Sequence, residues 1–285
     1  SSSKFVGEGE HKIYEKLRTN NFKEDNTVIY GLDADLIMLT LNHLKYSKNI
    51  YLFRETPHFI KQIASDIDPD KLYILDIPRF ANILENKLSK NCSDKSLDSK
   101  IEFSKIYDYI FLCFLVGNDF IAHIPCINIR NNGINHLLDA YNEVISNNDE
   151  NLIDNFEINW NQFRKLVLFL KNNEINYYNL EYSSYFKKSK NFKKIIKDEK
   201  YFDEKLNFIP KSNRDKEFFI DVGSKNWQYK YYKVLFDIEY DVELIKNICK
   251  KYLESLEWSF KYYTVGCPDW RWKYKYNYAP LLEDL

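Results

Sequence analysis

The segment that constrains this chain most is Thr27 to Leu44, where a β-branched and aromatic run, TVIYGL, breaks at Gly31 and passes into an apolar helical pattern from Ala34 onward. The pattern predicts a strand, a loop and a helix in succession, with Asp33 and Asp35 where strand gives way to helix. Further strands are expected at Asn49 to Arg54 and Lys71 to Ile77, with a helix from His58 to Ile67 between them. Such alternation implies an α/β fold with a mostly parallel sheet. Helical patterns follow at Arg79 to Leu88, Lys105 to Val116, Gly133 to Ser146, Trp160 to Lys171, Gln228 to Phe236 and Val242 to Tyr263, so the later part is expected to be a mainly α-helical domain. Four stretches result: an α/β part, 1–78; a first helical part, 79–176; a Lys/Asn/Tyr-rich stretch of weak periodicity, 177–224, expected to be an insertion or linker; and a continuation of the helical part, 225–285. Asn86 to Lys100 has the composition of a surface loop.

With 285 residues, 45% of them hydrophobic, the chain can fill a sizeable core, which excludes disorder throughout. The 41 Lys and Arg against 42 Asp and Glu leave a formal charge of -1, so any nucleic-acid surface must be a local patch, and a histone-like polycation is excluded. Cys92, Cys113, Cys126, Cys249 and Cys267 form no CxxC pair and suit a reduced, intracellular setting as core thiols. No stretch approaches the ~20 apolar residues of a membrane span, and no membrane partner is expected. Met38 is the sole methionine and Ser1 stands almost directly before a motif, so the chain reads as part of something longer.

Three acidic motifs carry the chemistry. Glu8 and Glu10 are separated by a glycine in Gly7-Glu8-Gly9-Glu10-His11-Lys12, and in an extended segment their side chains share one face. Asp33-Ala34-Asp35 repeats the spacing at the carboxyl edge of the first strand, where α/β sheets place their ligands. Asp119 lies in Gly117-Asn118-Asp119-Phe120, after an apolar helical run that anchors it. An oxygen-only donor set without a His/Cys cluster favours Mg²⁺ or Mn²⁺ over zinc. Such ions generate hydroxide and stabilise a leaving oxygen, so the implied reaction is hydrolysis of a phosphate ester. The plainer alternative is that Asp33 and Asp35 cap the helix that follows.

Taken in order, GEGEHKI (Gly7 to Ile13), YGLDADLIML (Tyr30 to Leu39), FLCFLVGNDFIAHIP (Phe111 to Pro125) with INIRNNGINHLLDAY after it, and YYTVGCPDWRWKYKYNYAPLLEDL (Tyr262 to Leu285) resemble the XRN family of 5′→3′ exoribonucleases. The resemblance implies a PIN-like, flap-nuclease-type sheet, incomplete here, followed by the start of a helical domain. It implies that Glu8, Glu10, Asp33, Asp35 and Asp119 hold the divalent metal and are catalytic. The implied substrate is single-stranded RNA with a 5′-monophosphate, degraded processively in RNA and mRNA turnover, with the cytoplasm preferred to the nucleus. A tryptophan of the family's Trp-rich segment stacks on the terminal base, and both Trp270 and Trp272 are candidates, with Arg271 between them to meet phosphate. His11 and Lys12 either contact phosphate or a metal-bound water, or only open a helix. His123 is expected to hydrogen-bond backbone.

Ala122 stands where the family has proline, Asn277 where it has histidine, and Asp269 where it has serine. The family's nuclease domain also begins with a long segment that supplies two further aspartates, a basic 5′-phosphate pocket and a second stacking residue, to which nothing in these residues corresponds. An upstream segment or second polypeptide is therefore an expected partner. The alternatives are a non-catalytic RNA-binding remnant or split subunit, and a flap-type DNA nuclease.

Overall fold

The fold is described from a computed structural model covering residues 6–20, 22–55, 66–68, 70–89, 103–148, 150–195 and 214–285. The chain divides into two compact units, one of Ser1–Phe111, Ser146–Asn159 and Glu257–Arg271, the other of Leu112–Ile145, Trp160–Leu256 and Trp272–Leu285. These units cut across the four stretches drawn from composition, because chain segments far apart in sequence pack together in each.

The first unit opens with helix α1 (Gly9–Thr19), which buries Tyr14 and Leu17 and carries Glu10 in its first turn and Lys16 and Arg18 in its last, each charge at the helix end that favours it. Strand β1 (Asn26–Tyr30) leads into helix α2 (Asp35–Asn42), then strand β2 (Asn49–Arg54). β1 and β2 pair in parallel, from Asn26 opposite Asn49 to Tyr30 opposite Phe53, with α2 as the crossover that a parallel pair requires. Strand β3 (Tyr73–Asp76) runs antiparallel to β2, so the three-stranded sheet is mixed and not mostly parallel. Side-chain pattern identifies a strand but not its sense; that depends on the end of the sheet at which the chain re-enters. Asp76 then caps helix α3 (Ile77–Leu88), its carboxylate accepting from the Arg79 N–H at 2.9 Å. α2 and α3 cover one face of the sheet, and Ile29, Leu39, Leu41, Ile50, Leu52, Ile77, Ala81 and Leu88 form the core there.

Helix α4 (Phe103–Phe114) runs on into the second unit. A small hairpin of β4 (Ile153–Asp154) and β5 (Glu157–Ile158) turns through Asn155 and Phe156, both at positive φ. Buried Asp108 anchors it, accepting from the N–H groups of Leu152 and Ile153 at 3.0 and 2.7 Å.

The second unit is helical: α5 (Gly133–Val144), α6 (Trp160–Lys171), α7 (Glu174–Ile195), α8 (Trp227–Leu235) and most of α9 (Val242–Thr264), whose last residues belong to the first unit. α7 runs through residues 177–195, which were expected to form an insertion or linker. Its periodicity is weak because buried Glu174 and Glu181 interrupt the apolar pattern around buried Tyr178; Glu181 forms an ion pair with buried Arg214, which also grips Glu217. The C-terminal residues are tied in by Glu174, which accepts from the Leu282 and Glu283 N–H groups at 2.6 and 3.2 Å. Burial foremost raises its carboxyl to about 7.

Most of the helix expected at His58 to Ile67, Cys92, and the greater part of Asn86 to Lys100 lie outside the described residues, although Asn86 to Leu88 close α3. Cys113, Cys126 and Cys249 are buried thiols, as expected, and Cys267 is half-buried. Among the described residues no helix is long and apolar enough to cross a membrane.

Candidate active site

Carboxylates of Glu10, Asp33 and Asp35 come together in the first unit, with one oxygen of each within 4.8 Å of the others. Two helix starts bring them there. Asp33 and Asp35 follow the end of β1; the helix N-cap is Ala34, which has no capping side chain, and Asp35 is the first helical residue. Asp33 therefore precedes the cap and is exposed, whereas capping would have turned it onto the backbone. Glu10 comes from the first turn of α1.

α1 and α2 are held together along their length. The Tyr14 hydroxyl lies 2.6 Å from the Thr40 hydroxyl and 3.4 Å from the Leu36 carbonyl. One turn further on, the Arg18 guanidinium donates to His43 Nε2 at 2.8 Å, while His43 Nδ1 meets the Leu39 carbonyl at 2.6 Å. Those two contacts fix a neutral ring with its proton on Nδ1. Burial first, then the nearby cations Arg18 and Lys45, push His43 down to about 3. No local pattern marks Arg18 or His43 in the sequence, and the one signal at Tyr14 is that it shares a helix face with Leu17.

Glu8 is placed differently from the sequence expectation. The segment is not extended: Glu8 is the N-cap of α1 and Glu10 lies inside the helix, so the two side chains do not share a face. The reason is that Tyr14 and Leu17, three residues apart, form one buried face of a helix that starts at Gly9. Glu8 Oε2 instead accepts from the Tyr262 hydroxyl at 3.1 Å and lies 3.7 Å from His11 Nε2. Burial above all lowers the His11 imidazole to about 4. His11 stacks on Tyr262 with ring centres 3.8 Å apart. Lys12 is half-buried on the same helix start.

Trp270 is 56% exposed and stands edge-on to Tyr262 at 6.1 Å. Its ring lies over Gly7, where a Cβ would come within 3.1 Å of Trp270, and Gly7 has φ +106°, open to glycine but strained for other residues. Arg271 is exposed beside it, its N–H donating to Asp269 Oδ1 at 2.9 Å. Trp272 belongs to the second unit and is half-buried.

Asp119 also belongs to the second unit, at the exposed tip of a tight turn. Asn118 builds that turn, its side-chain oxygen accepting from the Phe120 and Ile121 N–H groups at 2.9 and 3.0 Å. Gly117 has φ +87°, and a Cβ there would meet the His123 backbone at 3.0 Å. His123 bonds the Ile124 carbonyl at 2.9 Å, the backbone role expected of it. Asp119 is thus left free of the turn's own bonding.

The first 56 residues match the family model described as the XRN 5′-3′ exonuclease N-terminus, and residues 100–217 and 180–285 match the Xrn1 helical domain. The chain belongs to the XRN family. Among curated XRN proteins, it is 27% identical to 5′-3′ exoribonuclease 1 of Schizosaccharomyces pombe, an alignment that covers 98% of this chain and 29% of that protein. It is 24% identical to the 5′-3′ exoribonuclease 2 homolog of Drosophila melanogaster, over 100% of this chain and 39% of the relative. Against human 5′-3′ exoribonuclease 1 the identity is 25%, over 98% of this chain and 19% of the relative. The chain therefore spans well under half the length of these XRN relatives.

Proposed function

We propose that this chain carries the acidic centre of a 5′→3′ exoribonuclease and, with the rest of the nuclease domain, hydrolyses 5′-monophosphorylated single-stranded RNA in RNA turnover, in the cytoplasm. The observation that carries the reading is the convergence of Glu10, Asp33 and Asp35 from two stitched helices in a chain that matches the XRN models at both ends. Three carboxylates with no thiolate or imidazole among them form a donor set suited to a hard divalent cation. Glu10, Asp33 and Asp35 would hold Mg²⁺ or Mn²⁺, with Glu8 as a further ligand by motif. Such an ion lowers the pKa of bound water and offsets charge on a leaving oxygen.

The chain's own groups perform the rest. Neutral His11 and the Tyr262 hydroxyl face the Glu8 carboxylate, and Lys12 and Arg271 supply positive charge for phosphates. Trp270, exposed and braced on Tyr262 and Gly7, is the better of the two tryptophans for stacking on the terminal base. Replacing it with Ala is expected to weaken RNA binding by about 1–3 kcal/mol, with a smaller effect at Trp272.

The uncovered sheet face supports a completing polypeptide as partner. Val28, Tyr30 and Ile74 are 55%, 59% and 58% exposed, and the register Tyr30–Phe53–Ile74 puts them on one side. Solvated apolar area of this kind usually marks an interface.

The test is degradation of matched RNAs bearing 5′-monophosphate, 5′-hydroxyl or capped ends with Mg²⁺ or Mn²⁺, alone and with the family's upstream segment added in trans. Monophosphate-selective loss that disappears in Asp35→Asn supports the reading. RNA binding that persists with no cleavage in either condition overturns it in favour of a binding remnant, and preference for DNA would favour a flap-type nuclease.

A further inference from the structure

We infer that Lys45 and Arg18 form a binding site for a phosphate oxyanion, at the other end of α1 and α2 from Glu10, Asp33 and Asp35. Both cations belong to the first unit. Arg18 stands in the last turn of α1, about two turns and so about 12 Å along the axis from Glu10. Lys45 lies just beyond the end of α2. The two flank the same pair of rings: Arg18 donates to His43 Nε2 at 2.8 Å, the His43 and Tyr46 ring centres are 5.7 Å apart, and Lys45 Nζ stands 5.0 Å from the Tyr46 ring.

Lys45 Nζ also lies over the Phe156 ring at 4.2 Å and the Tyr107 ring at 5.8 Å. Aromatic faces attract the ammonium, but they do not accept its three N–H bonds as an oxyanion does. Among the described residues Lys45 has no hydrogen-bond acceptor and no ion pair, and Arg18 gives a single bond, to His43. Both are half-buried. Burial lowers the pKa of each, and Arg18 lowers that of Lys45 further; the carboxylate that acts on Arg18 is exposed Glu15 on its own helix. Desolvated like charges without a counter-ion are unfavourable, and a bound oxyanion removes that penalty. A guanidinium fork beside an ammonium suits phosphate, whose oxygens accept from both and whose charge matches the pair.

The arrangement is held against strain. Phe156 has φ +64°, a region that bulky residues rarely adopt. Its hairpin is fastened to α4, which carries Tyr107, by Asp108 and by Lys105, whose ammonium donates to the Glu150 carbonyl at 2.9 Å. Backbone strain maintained in this way concentrates at binding sites.

The experiment is titration of inorganic phosphate into the full chain in metal-free chloride buffer, followed by NMR of the backbone amides and the Arg18 Nε–H. Saturable shifts centred on Arg18, Lys45, Tyr46 and Phe156 are expected. Lys45→Met, which keeps an unbranched stem among the rings, should weaken phosphate binding about 10-fold or more, while Lys45→Arg, which keeps the charge, should bind more tightly than Lys45→Met. The urea midpoint of Lys45→Met should be no lower than that of wild type, because an unpaired desolvated cation has been removed. AMP and a single-stranded RNA oligonucleotide are parallel arms: the same shifts with RNA identify a nucleic-acid backbone as the source, and the same shifts with AMP and inorganic phosphate alone identify a small phosphate. Wild type without saturable shifts, or with shifts centred elsewhere, overturns the site whether or not the variants fold. Phosphate affinity unchanged in Lys45→Met overturns it as well, leaving the cation a packing role.

Discussion

Acid should dismantle the frame of the acidic centre through one residue, His43. The ring is fully buried, its Nε2 takes a hydrogen bond from Arg18, and its Nδ1 proton is given to the Leu39 carbonyl. A second proton would have to enter at Nε2, directly against a guanidinium N–H. The folded value of about 3 against 6.5 is therefore a depressed one, and the neutral ring favours the folded state. The unfolded chain binds the proton more readily, so the stability is fully present above pH 6.5 and is lost as pH falls through the window toward 3. At about 1.4 kcal/mol per pH unit, the loss amounts to about 3 kcal/mol by pH 4 and about 5 kcal/mol at the end. The assay is urea unfolding of wild type and His43→Gln from pH 7.5 down to 4, followed by tyrosine and tryptophan fluorescence. The variant starts less stable at neutral pH but lacks this proton uptake, so the stability difference should shrink by about 1.4 kcal/mol per pH unit below pH 6. Parallel curves would refute the reasoning. Because Arg18 and His43 join the two helices that present Glu10 and Asp35, Mn²⁺ affinity should fall over the same window in wild type.

Other perturbations follow from the same contacts. Gly7→Ala forces a side chain onto a backbone at φ +106° and into the Trp270 ring, and should cost about 1–3 kcal/mol in thermal or urea unfolding. Tyr14→Phe removes a buried hydroxyl that links α1 to Thr40 on α2, with an expected loss of about 0.5–1.5 kcal/mol; an unchanged denaturation midpoint would show that the link contributes nothing. Glu174 has its folded value raised from 4.5 to about 7, so the unfolded chain gives up this proton first and stability should decline as pH rises between those values. Glu174→Gln should flatten that decline relative to wild type in the same titration.

The sequence by itself determined several of the elements and the kind of donor at the candidate site. Strand β1, helix α2 and strand β2 follow from contiguous apolar pattern, and β2 and α6 lie at the bounds expected of them, because a buried face repeats locally along a strand or helix. That these side chains are carboxylates, and so offer oxygen donors alone, is also a property of residue type. Only the tertiary structure decided which carboxylates meet. Glu8 and Glu10 are two residues apart, yet a helix start between them sends one to Tyr262 and the other to Asp33 and Asp35. The antiparallel sense of β3 and the helix α7 were equally hidden, the first because direction leaves no mark on side-chain pattern, the second because two of its buried positions, Glu174 and Glu181, carry carboxyl groups. Tyr262 lies 254 residues from the Glu8 it bonds, and no local period links them. Such contacts arise when segments distant in sequence are packed against one another, which leaves no short-range signal in the sequence.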